Sequence, residues 1–312
     1  MWLGLVKVFI ALGLYGTAVE PRFVQRNDIT ATIPGLPSAW EGKQIAVFAD
    51  MQVGMWWANT DAIRKVVRSV TALHPALVLA AGDFVYNADS SVDDQMREVV
   101  GLLQPLLDDT IPVYAVLGNH DYSLMNEHSQ KENYVAAHVR GALEAAGVHM
   151  MDNAVAGLPP PAAVAAGITA PEDSVVATAS PPAAATPLYL VGIGERWAKN
   201  DHTLETMAEI PAGAPRVVFM HDPDDFADIP AGEAPLAIAA HTHGMQIGIP
   251  FVSNYLWRHY FSARGSGVEG WIDHYGEPGN RLYINRGIGF SIVPARVHAV
   301  PELTVVTLTH GG

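Results

Sequence analysis

The chain has no cysteine. Disulfides and thiolate metal sites are thereby excluded, and any bound ion must be held by His, Asp, Asn, Glu or Gln, donors that suit hard or borderline cations. Positive charge is scarce as well: 18 Lys and Arg stand against 32 Asp and Glu, for a formal net charge of −14 at pH 7. The few cations form no basic block, so nucleic acid, whose backbone needs a concentrated cationic footprint, is not an expected partner. Charged residues make up only 16% of the chain and hydrophobic ones 49%, which excludes disorder throughout. No internal repeat is present. An anionic substrate would need a local source of positive charge on such a chain, and metal ions can supply it.

A length of 312 residues fits one large α/β domain or two small ones. Residues 2–19 are an apolar run broken only by Lys7 and small residues, close to the roughly 20 residues that span a bilayer. The expectation is a membrane-associated chain with residues 1–20 as an N-terminal hydrophobic anchor or signal; a buried first helix is the alternative. The balanced cations Lys7, Arg22 and Arg26 leave the membrane side unassigned. Residues 21–312 then form the main domain. Within it, residues 155–187 hold 7 Pro and 11 Ala in 33 positions, no aromatic residue, and only Glu172 and Asp173 as charges. That composition predicts a flexible surface insertion.

Elsewhere strands and helices alternate. The apolar run 45–48 leads to Asp50, and a helix follows from about Asp61, with Ile63, Val66, Val67, Val70 and Leu73 at helical spacing and Pro75 as its stop. Further runs at 76–81, 111–117, 216–220 and 236–240 end at Gly82-Asp83, at Gly118-Asn119-His120-Asp121, at His221 and at His241-Thr242-His243. Helices are expected over about 93–107 and 130–146, and a strand over 187–192. Sites in open α/β sheets form at the carboxyl ends of strands. Polar residues that merely mark turns would explain one or two such endings, and there are five.

Two metal ions about 3.5–4 Å apart need a bridging carboxylate and about three further donors each. Asp50, Gln52, Asp83, Asn119, His221, His241 and His243 offer a mixed nitrogen and oxygen set of that size. These residues, in this order, resemble the calcineurin-like metallophosphoesterases, whose pattern runs Asp-x-His, Gly-Asp, Gly-Asn-His-Asp/Glu, His, Gly-His-x-His. The match covers roughly residues 40–310. It is most similar to a membrane-associated bacterial branch, through Glu20-Pro21, His241-Thr242-His243-Gly244-Met245-Gln246 and 282–287.

The resemblance implies a four-layer α/β/β/α sandwich, with two central sheets flanked by helices. It also implies that Asp50, Gln52, Asp83 and His243 hold one metal, and that Asp83, Asn119, His221 and His241 hold the other. His120 would stabilise or protonate the leaving oxygen, and Asp121 would orient His120. Two divalent cations outweigh Asp50, Asp83 and a bridging hydroxide by about one positive charge, and they lower the pKa of water towards ~7, so hydroxide is available to attack phosphorus.

Gln52 stands where the family usually has His, Tyr86 where a second Asp is common, and Ala240 where Gly precedes His-x-His. An amide oxygen is a harder and weaker donor than imidazole, so manganese is the expected ion, with iron, magnesium or zinc as alternatives. Asp222 precedes Pro223 and Asp224, and capping is its favoured reading. Arg286 could grip a phosphate in bidentate fashion or simply fix its loop. Met55-Trp56-Trp57, Tyr255, Leu256, Trp257 and Phe261 either pack or form an apolar lip.

The expected activity is hydrolysis of a phosphodiester or diphosphate, on a phosphorylated small molecule or a lipid-linked, cell-envelope substrate such as an acylated sugar nucleotide. A soluble nucleotide or phosphodiester substrate is the alternative within enzymes. A membrane-anchored binding module with a decayed site is the alternative outside them.

Overall fold

A computed structural model describes residues 2–161 and 187–311. Among these residues twelve strands form two six-stranded sheets. The first contains β1 (Gln25–Ile33), β2 (Gln44–Phe48), β3 (Leu77–Ala81), β4 (Val113–Val116), β5 (His149–Met150) and β12 (Glu302–His310), in the order β1-β12-β2-β3-β4-β5. The second contains β6 (Ala154–Leu158), β7 (Leu188–Gly192), β8 (Arg216–Phe219), β9 (Ala237–Ala239), β10 (Gly270–Ile272) and β11 (Leu282–Ile284), in the order β10-β11-β9-β8-β7-β6. Both sheets have a parallel centre, β2-β3-β4-β5 and β11-β9-β8-β7. Antiparallel partners are confined to the β12–β2 pair and to β10 and β6 at the edges of the second sheet.

The two-residue period of a strand explains the layers. Ile45 and Val47 of β2, Leu77 and Leu79 of β3, Val217 and Phe219 of β8 and Ile238 of β9 meet in one cluster between the sheets. Their neighbours Ala46, Phe48, Val78 and Ala80 face the other way, against the helices of the first sheet. Those helices are α2 (Thr60–Leu73), α3 (Val92–Asp108) and α4 (Asn133–Ala145). Ile63, Val66, Val67 and Val70 form the buried stripe of α2, as their spacing predicts. The helix closes at His74 in a left-handed conformation (φ 47°), and Pro75 follows. Ala237 and Ala239 pack outward in a third cluster with Phe226, Met207 and Ile210, the second coming from α5 (Thr203–Ala208). The architecture is the expected sandwich of two sheets flanked by helices.

Two readings of the sequence need correction. The apolar N-terminus forms α1 (Trp2–Ala18), whose 17 residues span about 26 Å at 1.5 Å each, short of the ~30 Å hydrocarbon core. Among the described residues no helix is long and apolar enough to cross a membrane, so the single-anchor localisation does not stand. The base of this helix is instead tied to the domain. Gly16 is buried, and its carbonyl accepts the Arg296 N–H at 2.8 Å. Buried Glu20 accepts the Ala299 N–H at 2.7 Å. The second correction concerns the insertion. Residues 154–158 are strand β6, paired antiparallel with β7, so the Pro/Ala-rich segment read from 155 starts inside the sheet. Its residues 162–186 lie outside the described residues.

The docking of Gly16 and Glu20 predicts a sharp boundary in what the N-terminus contributes. Removing residues 1–12, which precede both docking points, should leave urea unfolding within about 0.5 kcal/mol of the full chain. Glu20→Ala strands the buried Ala299 N–H and should cost about 1–3 kcal/mol. Equal effects of the two changes would contradict this placement.

Candidate metal centre

Six strand ends converge on one spot, three from each sheet. β2, β3 and β4 deliver Asp50, Asp83 and Asn119; β8 delivers His221, and the turn after β9 delivers His241 and His243. Behind the last two, β11 runs into the 285–289 loop, which closes over Asp50. Beyond the strands the first two segments stay paired: Asp50 N–H donates to Gly82, Gln52 N–H to Asp83 and Val53 N–H to Phe84, each at 3.0 Å. Gly82 (φ 86°) must be glycine, since a Cβ there would press on His221 Nδ1 at 2.6 Å and on Gly118. All the candidate ligands except His241 are buried.

Donor atoms face inward. Asp50, Asp83 and His221 each offer a ligand atom, all within 4.8 Å of one another, and they are the one such triple of acidic or imidazole groups among the described residues. His221 Nδ1 lies 2.7 Å from the Ala81 carbonyl, to which it donates, and Nε2 points into the centre. Asn119 donates Nδ2 to Leu124 O at 2.7 Å and so presents Oδ1 to His221 Nε2 (3.1 Å) and His241 Nδ1 (2.8 Å). Gln52 donates Nε2 to Asp83 Oδ2 at 2.7 Å, while its Oε1 and both Asp50 carboxylate oxygens are buried without a partner. Buried oxygens left unpaired beside three imidazoles are costly alone, and they fit divalent cations.

Electrostatics agree. Burial pushes Asp50 up to about 7, with neighbouring Asp83 adding to the rise. Burial works the same way on Asp83, but His221 and His120 outweigh it and hold this carboxyl below the usual range. His221 is raised well above its ordinary value because the Asp83 carboxylate, at 3.3 Å, overcomes burial. His243 is driven well down by burial and by the adjacent Arg296.

His120 and Asp121 part company. The Asp121 carboxylate accepts no proton from His120. It accepts four backbone N–H groups, from Asp83 (3.0 Å), Phe84 (2.9 Å), Val85 (3.2 Å) and Gly118 (2.9 Å). His120 instead stacks on Tyr86 with ring centroids 5.0 Å apart, and its Nε2 lies 3.5 Å from Ser291 Oγ. Its Nδ1 is buried without a partner, and burial lowers its pKa. Tyr86, which stands where the family commonly has a second Asp, is therefore the platform of His120.

Arg286 does not reach the cavity. It is pinned by Glu302 (2.8 Å), Gln25 (3.0 Å) and Glu269 (3.4 Å), so the loop-fixing alternative describes it. Asp222 caps the short helix 223–228 by accepting the Asp224 N–H, as its sequence context suggests. Arg296 carried no signal in the sequence. It is fully buried and touches His243, and burial lowers it only to about 10, so it stays a cation at neutral pH.

Asp83, Asn119, His120, His241 and His243 form the floor of a cavity of about 440 Å³. Its walls are apolar: Met125, Trp197, Met245, Ile247, Trp257, Phe261, Ile292 and Val293. Trp56 and Trp57 are exposed and do not line it.

Comparison with known proteins agrees with the geometry. Residues 43–245 match the profile of the calcineurin-like phosphoesterases. The chain is 23% identical over 298 residues to YkuE of Bacillus subtilis, an uncharacterized metallophosphoesterase, with 95% of this chain and 90% of that protein covered. It is 21% identical to the UDP-2,3-diacylglucosamine pyrophosphatase LpxG of Chlamydia trachomatis, over 88% and 87% of the two chains. Identity to the phosphodiesterase YaeI of Escherichia coli is 26%, over 75% and 70%.

Metal binding should release protons. At pH 6 the metal-free centre holds protons on Asp50, whose pKa is about 7, and on His221, and divalent cations need both groups without them. Proton release per ion bound should fall between pH 6 and pH 8 as Asp50 empties beforehand. Calorimetric titration with Mn²⁺ in buffers of different ionisation heat reads this directly. A binding heat that does not depend on the buffer at pH 6 would refute it.

Proposed function

The chain belongs to the calcineurin-like phosphoesterase family and is a metal-dependent phosphoester hydrolase; from that premise we propose that it cleaves a phosphodiester or diphosphate bond in a substrate that carries an acyl chain. The observation behind this reading is the contrast inside the cavity. Its floor is the metal centre, while Ile247, Phe261, Ile292 and Val293 stand on its wall with 42–70% of their surface exposed. Large apolar side chains gathered at the mouth of a polar site favour a ligand that is anionic at one end and hydrocarbon at the other. The substrate of the chlamydial relative has that form.

In this reading Asp50, Gln52, Asp83 and His243 hold one ion, and Asp83, Asn119, His221 and His241 the other. Manganese is favoured by the amide at position 52. When bound, the ions supply positive charge for the phosphate and acidify water. The chain's own part is positional. Asn119 and Asp83 are fixed by backbone bonds, and the 291–293 loop brings Ser291 over the cavity floor. His120, neutral because it is buried, is held flat by Tyr86 with an edge towards the cavity. Its ring N–H would donate to an oxygen of the phosphate or of the leaving group.

Two measurements test the proposal. Manganese-loaded protein should hydrolyse acylated sugar-nucleotide diphosphates with a KM that falls as the acyl chain lengthens, by up to ~0.8 kcal/mol per buried CH₂. Ile292→Ser combined with Phe261→Ser should flatten that dependence and spare a short-chain substrate. A KM independent of chain length, or a preference for unacylated nucleotides, sinks the acyl reading and favours a soluble phosphodiester. Independently, His120→Ala should keep its metals and lose about 10²-fold or more in turnover, less with leaving groups that need no proton. Equal losses for all leaving groups would remove the proton-donor role.

A further inference from the structure

Arg296 is the largest of the fully buried side chains, and nothing in the chemistry described above uses it. None of its hydrogen bonds goes to a carboxylate. Nε and Nη2 both donate to Gly289 O, at 2.9 and 2.7 Å. Nη1 donates to Arg286 O at 3.0 Å and to Ala299 O at 2.9 Å. Nη2 lies 3.3 Å from His243 Nδ1, and Nη1 lies 3.4 Å from His243 O. One planar guanidinium thus binds both ends of the 286–289 turn and both the ring and the backbone of a candidate ligand.

That turn lies directly on two more ligands. Ile288 N–H donates to Ala49 O at 3.0 Å, and Gly289 N–H to Asp50 O at 2.6 Å. Gly287 (φ 65°) sits against the Asp50 carboxylate, where a Cβ would collide with it. A Cβ on Gly289 would come within 2.9 Å of Gln52 Cβ and 2.6 Å of the Asp50 and Met51 carbonyls. Asp50, Gln52 and His243 are therefore all reached from Arg296, directly or through one turn. Asn119, His221 and His241 are not: they are set by Leu124, by Ala81 and by one another.

We propose that Arg296 is a positioning residue for one half of the metal centre, fixing Asp50, Gln52 and His243 while leaving the Asn119, His221 and His241 half untouched. The proposal rests on the two-ion reading given above. It makes the two halves separable by a residue that contacts neither substrate nor ion. A buried arginine that served only general packing would weaken both halves together, or neither.

The test is Mn²⁺ binding to the full chain and to Arg296→Met and Arg296→Lys. Calorimetry gives stoichiometry and affinity, and the manganese spin-resonance spectrum distinguishes paired from isolated ions. Native protein should bind two ions with a coupled spectrum. Both variants should keep one site at native affinity and lose about 10- to 100-fold at the other. At intermediate free Mn²⁺ they should then show the spectrum of an isolated ion, and excess Mn²⁺ should restore the coupled one. The Lys variant keeps the charge but cannot bridge four carbonyls, so if the Met variant fails to fold, Arg296→Lys decides alone. Two native-affinity sites in a folded variant, or equal weakening of both, overturns the assignment to Arg296. Fewer than two ions in the native chain overturns the two-ion reading and this proposal with it.

Discussion

The structure turns on one carboxylate that does not line the cavity. Asp121 sits at the end of the β4 loop and takes the N–H groups of Asp83, Phe84 and Val85 from the neighbouring β3 loop, together with that of Gly118 from its own. Four N–H donors that would otherwise be buried unpaired are satisfied at once, and two loops are locked in one register. Asp83 and Asn119, two of the candidate ligands, inherit their positions from this knot. Burial and the nearby Asp83 charge push Asp121 up to about 8 against the pull of those N–H groups. The knot thus sets opposing electrostatic pulls against each other on one buried group.

Tension is also stored in the backbone. Asp50, Gln52, Asp83, His241 and His243 all have φ between 51° and 71°, a region that costs non-glycine residues on the order of 1–3 kcal/mol each. Five candidate ligands in left-handed conformations need surroundings that over-determine them. The 50–53 and 82–86 segments provide part of this by continuing to pair past their strands, and the Arg296 clamp on the 286–289 turn provides more. Donors drawn from the ends of two separate sheets could not be held this closely by either sheet alone. This is the physical sense of the sandwich: packing Val47, Leu79, Phe219 and Ile238 face to face brings the two sets of strand ends together.

Much of this was legible in the sequence, and the boundary between what was and what was not is instructive. Apolar runs ending in Asp50, Asp83, Asn119, His221 and His241 placed five strand ends correctly, because run and ligand are adjacent along the chain. The partners of Asp121, and which of the two readings of Arg286 holds, were not legible. Asp121 follows His120 directly, yet three of its four partners lie 36 to 38 residues away, and Arg286 is held in part by Gln25 across 261 positions. The apolar stretch 2–19 has the composition of a membrane segment but not the length as folded. What anchors its base, Gly16 to Arg296 and Glu20 to Ala299, again comes from the far end of the chain. The same distance hid Arg296, and it hid β1, β10 and β12, whose pairing no local pattern announces.

The wall of the cavity shows how an exposed apolar surface can still be held in place. Gln246, three residues after His243, donates to Ser291 O and Val293 O at 2.8 and 2.7 Å and accepts the Ser291 N–H at 2.6 Å. On the opposite side Asp224 accepts from Ser262 Oγ and from the Ala263 and Arg264 N–H groups, fixing the end of the helical segment 253–261 that presents Trp257 and Phe261. Ile292, Val293 and Phe261 therefore stand in water on segments whose backbone is tied at several points. Leaving them exposed gains nothing for folding, and a wall that only closed the domain would have turned them inward. Because Gln246 follows His243, and Asp224 follows His221, by three residues, each side of the wall is tied to the same short loops that carry ligands. The distance from the metal centre to the apolar wall is thus set by the fold, and any substrate that bridges the two must match it.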